Sequence, residues 1–132
     1  MKKFKFVTIS TNQTIKNLTS IEICGLQKIY DLKQINIPNI KKLKIKKGSI
    51  VKMPFSLLNK LETLILGAVQ IKIYSIPENN NTFELKNLKY LKLNETGVTK
   101  KLNKKFNCPN LIYFKFNICS LSHKNFLFGL LP

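Results

Sequence analysis

The stretch Leu88-Lys-Tyr-Leu91-Lys-Leu93 decides how the rest of the chain is read. Its apolar residues stand first, fourth and sixth, and around the last two the pattern alternates with Tyr90, Lys92 and Asn94. A period of two marks a strand buried on one face, so Leu91 and Leu93 point inward and their neighbours outward. One such strand cannot bury its own apolar side and needs partners of the same kind.

The chain supplies them. The same frame fits Leu61-Glu-Thr-Leu64-Ile-Leu66, Ile40-Lys-Lys-Leu43-Lys-Ile45 and Leu111-Ile-Tyr-Phe114-Lys-Phe116. Two weaker copies precede these, Leu18-Thr-Ser-Ile21-Glu-Ile23 and Met1-Lys-Lys-Phe4-Lys-Phe6. Successive frames start 17, 22, 21, 27 and 23 residues apart. Five residues beyond the last frame position the four firm copies again carry an apolar residue, namely Ile50, Ile71, Val98 and Leu121. Parallel stacking at about 4.8 Å per strand would join the inward residues into one core and satisfy the backbone between copies.

This pattern resembles the leucine-rich-repeat family, whose consensus is L-x-x-L-x-L-x-x-N/C-x-L, over nearly the whole chain. The departure falls at the Asn/Cys position, occupied by Gly48, Val69, Thr96 and Cys119. The resemblance implies an α/β solenoid: a short horseshoe with a parallel β-sheet on the concave face. Short helical or irregular segments, such as those from Val51 to Leu58 and Thr99 to Phe106, return the chain on the convex side. Residues 1–132 read as one such domain of about six repeats, complete or cut from a longer array. The resemblance also implies a non-enzymatic role in protein recognition.

Three local features qualify the frame. Leu32-Lys-Gln-Ile35-Asn-Ile37 competes with the third copy, either as a strand of its own or as the outer return of the second. The segment Ile76 to Leu85, with Pro77 and the run Asn79-Asn80-Asn81, reads as an exposed loop. The apolar tail Phe126 to Pro132 reads as a cover folded over the last repeat, or as a surface open to self-association or further repeats.

Composition bounds the function. The chain has 132 residues, one domain's worth, and its 44% apolar content is enough for a core. Against 6 acidic residues stand 23 basic ones, all lysine, for a net charge of +17. AT-rich coding would favour Lys, Asn and Ile over Arg, but it would favour Glu as well, so it leaves the shortage of acid unexplained. Lysine is a hydrated point charge without the arginine fork, which argues against base-specific readout. The opening MKKFKFVTISTNQT lacks a signal-peptide core, and no apolar run reaches membrane-spanning length. Cys24, Cys108 and Cys119 fit neither metal-ligand spacing nor an even disulfide framework, so the reading places the chain in the cytoplasm or nucleus. His123 has no nearby carboxylate and no phosphate-binding glycine loop exists, so neither catalysis, a metal, a cofactor nor a small-molecule substrate is expected.

The outward positions carry the functional expectation. The third copy turns out Lys41, Lys42, Lys44, Lys46 and Lys47, and Lys92 and Lys115 continue the column of Lys44. Glu22 and the apolar strip Ile65, Gly67 and Ala68 interrupt the field, while Tyr90 and Tyr113 fall side by side. The candidate partner-binding residues are therefore Lys41, Lys42, Lys44, Lys46, Ile65, Tyr90, Lys92, Tyr113 and Lys115, facing an acidic protein. The alternative is nonspecific binding to nucleic acid or an anionic lipid surface. Two cross-strand tyrosines with no ligand is the plain structural reading of the aromatic pair.

Overall fold

The computed structural model describes residues 2–5, 13–14, 17–25, 29–77, 82–98, 105–117 and 126–128. The repeated frames form one parallel six-stranded sheet. Its strands, Lys2–Lys5, Ser20–Cys24, Lys42–Lys46, Thr63–Gly67, Tyr90–Asn94 and Tyr113–Asn117, lie in chain order. Leu43, Leu64, Leu91 and Phe114 are neighbouring rungs of one inward column, and Ile45, Leu66, Leu93 and Phe116 of the next. The leucines and isoleucine of these columns are at most 1% exposed, so the alternation read from the sequence is the alternation of core and surface.

The return path corrects the α/β expectation. It is built mainly of strand, and the molecule is a parallel-strand β-solenoid with little helix. A second sheet joins Tyr30–Asp31, Ile50–Pro54, Gln70–Tyr74 and Gly97–Val98. A third joins Thr82–Glu84, Lys105–Cys108 and Phe126–Phe128, and Gln13–Thr14 pairs with Ile35–Asn36. Among the described residues, helix is confined to Phe55–Leu58 and a 3-10 turn at Leu32–Gln34. Ile50-Val-Lys-Met53 and Gln70-Ile-Lys-Ile-Tyr74 explain the preference: they are rich in β-branched residues, and Val51, Met53 and Ile71 alternate into the core.

Other expectations shift in register. Phe4 pairs with Ile23, not Ile21, so the first frame lies two residues from where the spacing put it. In the column after the strand, Val51 stands beside Ile71 and Val98, and Ile50 does not, because the third copy has one more residue in its corner. Leu32 to Asn36 belongs to the return of the second copy. Part of the presumed Ile76 to Leu85 loop is not loop: Thr82–Glu84 is a strand and Leu85 is fully buried. Phe126–Phe128 adds a parallel strand beside Phe106 to Cys108. Met1, Phe6, Asn79 to Asn81, Thr99, Cys119, Leu121, His123 and Gly129 to Pro132 lie outside the described residues.

Two corners repeat from copy to copy. After four of the main sheet's six strands one residue takes a left-handed backbone: Gly25 at φ 74°, Lys47 at 55°, Ala68 at 52° and Glu95 at 49°. Glycine suits this conformation and the other three are strained in it. The strain is offset by a ladder, since the N–H of each donates to the next copy: Gly25 to Lys46 at 3.1 Å, Lys47 to Gly67 at 2.9 Å, Ala68 to Asn94 at 3.0 Å and Glu95 to Asn117 at 2.9 Å. Before each of the four firm frames lies a four-residue turn, closed by N–H bonds of Ile40 to Ile37, Leu61 to Leu58, Leu88 to Leu85 and Leu111 to Cys108. Pro38 and Pro109 hold its second position, as such turns favour. Asn39, Asn87 and Asn110 hold its third, and the amides of Asn87 and Asn110 donate to Asn59 and Lys86 carbonyls of the preceding copy at 3.0 and 2.7 Å.

Candidate functional site

The outward face of the main sheet is a grid whose columns follow from the register. The first reads Ser20, Lys42, Thr63, Tyr90, Tyr113. The second reads Glu22, Lys44, Ile65, Lys92, Lys115, and the third Cys24, Lys46, Gly67, Asn94, Asn117. The expected residues therefore share one surface, except Lys41. Lys41 stands just before its strand, exposed, because its N–H and that of Lys42 both donate to the Thr19 carbonyl, at 2.7 and 2.9 Å. Glu62, half-buried, occupies the equivalent position of the next copy, its N–H and that of Thr63 both bonded to the Lys41 carbonyl. Lys89 and Ile112 occupy it in the two copies after that, bonded in the same way to Glu62 and to Lys89. The sequence reading omitted both, although Lys89 is exposed beside Tyr90 and Ile112 is 80% exposed beside Tyr113. Their shared frame position with Lys41 was the available signal.

Lys42, Lys44 and Lys46 project from one strand about 7 Å apart, inside the screening length of physiological salt. The nearby Lys46 amino group, burial and the charges of Lys46 and Lys42 hold the Lys44 ammonium below the usual lysine range, against the opposing pull of Glu22. Glu22 is the carboxylate of this corner, and it is only 6% exposed, with the Cys24 thiol pointing at its Oε1 from 3.7 Å. Among the described residues the one ion pair lies elsewhere, between Lys86 and Glu84 at 3.8 Å.

The other half of the face is aromatic. The rings of Tyr90 and Tyr113 stack with centroids 4.3 Å apart and planes 7° from parallel. Burial, and then the neighbouring Tyr113 hydroxyl, raise the Tyr90 phenol above its usual value. Between the lysine strand and this stack runs Thr63, Ile65 and Gly67, without charge. The stems of Lys44 and Lys92 flank Ile65, which separates two ammoniums that would otherwise be adjacent rungs.

No group of three or more His, Cys, Asp or Glu side chains that could hold a metal ion occurs among the described residues. Among them, too, no helix is long and apolar enough to cross a membrane. The buried Cys108 thiol is pushed up to about 12 by desolvation, which leaves it protonated and unreactive near neutrality. Fold and face together define a parallel β-solenoid with a lysine- and tyrosine-bearing sheet surface. No family model matches the chain, and neither a curated protein nor a solved structure is significantly similar to it.

Proposed function

We propose that the chain is a non-enzymatic, intracellular recognition module of the leucine-rich-repeat kind, and that its sheet face binds an acidic protein. The observation that carries this reading is the imbalance of the face. Lys42, Lys44 and Lys46 stand on one strand, Lys92 and Lys115 continue the central column, and Lys41 and Lys89 flank it, against the buried Glu22 and the half-buried Glu62. Like charges on one strand destabilise it, so an acidic surface laid over them relieves repulsion as well as adding attraction. Thr96 supports the family assignment. It holds the position where the consensus places a hydrogen-bonding residue, is 1% exposed, and donates toward the Leu66 and Asn94 carbonyls at 3.3 and 3.1 Å.

The test replaces Lys41, Lys42 and Lys44 with Glu and measures association with a labelled oligoglutamate peptide across a salt series. Electrostatic steering changes association rates by about tenfold or more, so the variant associates at least that much more slowly at low salt and its salt dependence flattens. Equal rates and slopes in both proteins reject the reading. Micromolar binding of a single-stranded oligonucleotide at physiological ionic strength, with a steep logarithmic salt slope, would assign the face to polyanions instead.

A further inference from the structure

We propose that the uncharged strip over Thr63 is a slot for one aromatic side chain of an extended acidic peptide, which stacks on Tyr90 while neighbouring carboxylates lie on Lys42, Lys44 and Lys92. This rests on the acidic-partner reading and specifies what that partner inserts.

The geometry of the existing stack sets the slot. Tyr90 has two register partners on the face, Tyr113 on one side and Thr63 on the other. Toward Tyr113 it meets a ring at 4.3 Å, nearly parallel. Thr63 lies one strand spacing away in the opposite direction, about 4.8 Å, and its short side chain leaves the place of a third ring open above it. Aromatic rings attract in offset stacks at centroid separations of about 4.5–7 Å, so a guest ring there repeats the spacing the two tyrosines already use. The far wall is Lys42, the other register partner of Thr63. It stands one strand spacing, about 4.8 Å, from Thr63, so its stem can carry the ammonium within the roughly 6 Å of a guest ring at which a cation attracts a ring face. Ile65 borders the slot along the strand, and Gly67, with no side chain, ends the strip beside the Lys46 stem, whose Cγ would lie 3.9 Å from a Cβ there.

The chemistry of the walls selects the guest. Thr63 offers one hydroxyl, the half-buried Glu62 stands at the corner before it between Lys41 and Lys89, and the remaining lining is a ring face, Ile65 and lysine stems. A phenyl or indole ring loses little on entering, whereas a nucleobase would leave donors and acceptors of its edges unpaired. The lysines on both sides of Ile65 then call for acidic residues flanking the aromatic one.

The chain contains no tryptophan, so an indole in the peptide reports binding without background. The experiment compares Glu-Glu-Trp-Glu-Glu with Glu-Glu-Ala-Glu-Glu on the full chain, on Thr63→Phe, which fills the slot, and on Tyr90→Leu, which removes the stacking platform should the first variant fold poorly. The expected result is a preference of about tenfold for the Trp peptide, with a blue shift of its emission, that falls to within about twofold of unity in either variant. Equal binding of the two peptides to the parent chain overturns the slot and leaves the acidic reading standing. A preference that survives both variants overturns it as well. Failure of both peptides to bind removes the acidic reading and the slot together, and tighter binding of a single-stranded oligonucleotide than of the Trp peptide reassigns the face to nucleic acid.

Discussion

The strand Lys42–Lys46 and the strands Tyr90–Asn94 and Tyr113–Asn117 share one inward pattern and a central outward lysine, and differ at the two outward positions on either side of it. Inside, Leu43 and Ile45 continue into Leu91 and Leu93 through Leu64 and Leu66, all at most 1% exposed. Outside, one end presents three lysines that repel each other and the other two tyrosines that attract. The core columns fix the frame and leave the outward columns free, so one scaffold carries a repulsive patch and a cohesive one within about 10 Å, two strand spacings. The repulsive patch costs stability that nothing in the fold requires, which is the stronger reason to assign it a partner.

The shared rung tests whether the two ends are one cooperative unit. Leu64 is 1% exposed and lies between them, so Leu64→Ala opens a cavity there and costs about 2–5 kcal/mol. In urea, the loss appears as a lower midpoint for tyrosine fluorescence and for far-ultraviolet circular dichroism alike. Separate midpoints for the two signals would show that the solenoid does not unfold as one unit.

That rung also shows what the sequence made legible. From Leu18 onward the frames predicted every register pair of the main sheet, because an apolar residue displaced by one position would face water. The pattern is blind to a slip of two. Phe4 and Phe6 fit either of two alternating positions, and so the first frame was misplaced. Ile50 and Val51 are both apolar, so counting five residues landed on the wrong one when Lys47 and its neighbours added a residue to the corner. Val51 to Leu58 reads as helical or irregular because its apolar residues are mixed in spacing, yet its first half is strand, paired with the plainly alternating Gln70-Ile-Lys-Ile-Tyr74. The turn asparagines Asn87 and Asn110 precede their frames in plain view and went unread, since only the structure shows their amides reaching back one copy. On the face, the side-by-side tyrosines followed from the frame, whereas the burial of Glu22 depends on packing that no outward position announces.

Breaking the cohesive end should cost less than breaking the rung. Tyr113→Ala removes a stacked ring that is 40% exposed, so about 1 kcal/mol is expected, most of it pairwise. A double-mutant cycle with Tyr90→Ala isolates that share: a coupling of about 0.5–1.5 kcal/mol identifies a stack, and a value near zero identifies two independent surface residues.

Relieving the repulsive end gives the smallest effect and the opposite sign. Lys46→Met keeps the aliphatic stem and removes the charge that presses hardest on Lys44, so stability near neutrality rises by a few tenths of a kcal/mol, and the gain fades as salt is added. The alkaline limb then separates the two ends. The folded Lys44 sits below its ordinary 10.5, so its charged form is penalised at every pH beneath the folded value and the penalty lifts as pH climbs through that value toward 10.5. Tyr90 lies above its ordinary 10.0, so its contribution is complete below 10.0 and is lost as pH rises through the folded value. Measured as differences from the parent chain, the advantage of Lys46→Met should shrink as pH approaches 10.5, while the deficit of Tyr113→Ala should begin to shrink only above 10.0. If the Lys46→Met advantage were instead constant from neutrality to pH 10.5 and indifferent to salt, it would come from packing of the methionine, and the lysine strand would carry no stored repulsion for a partner to relieve.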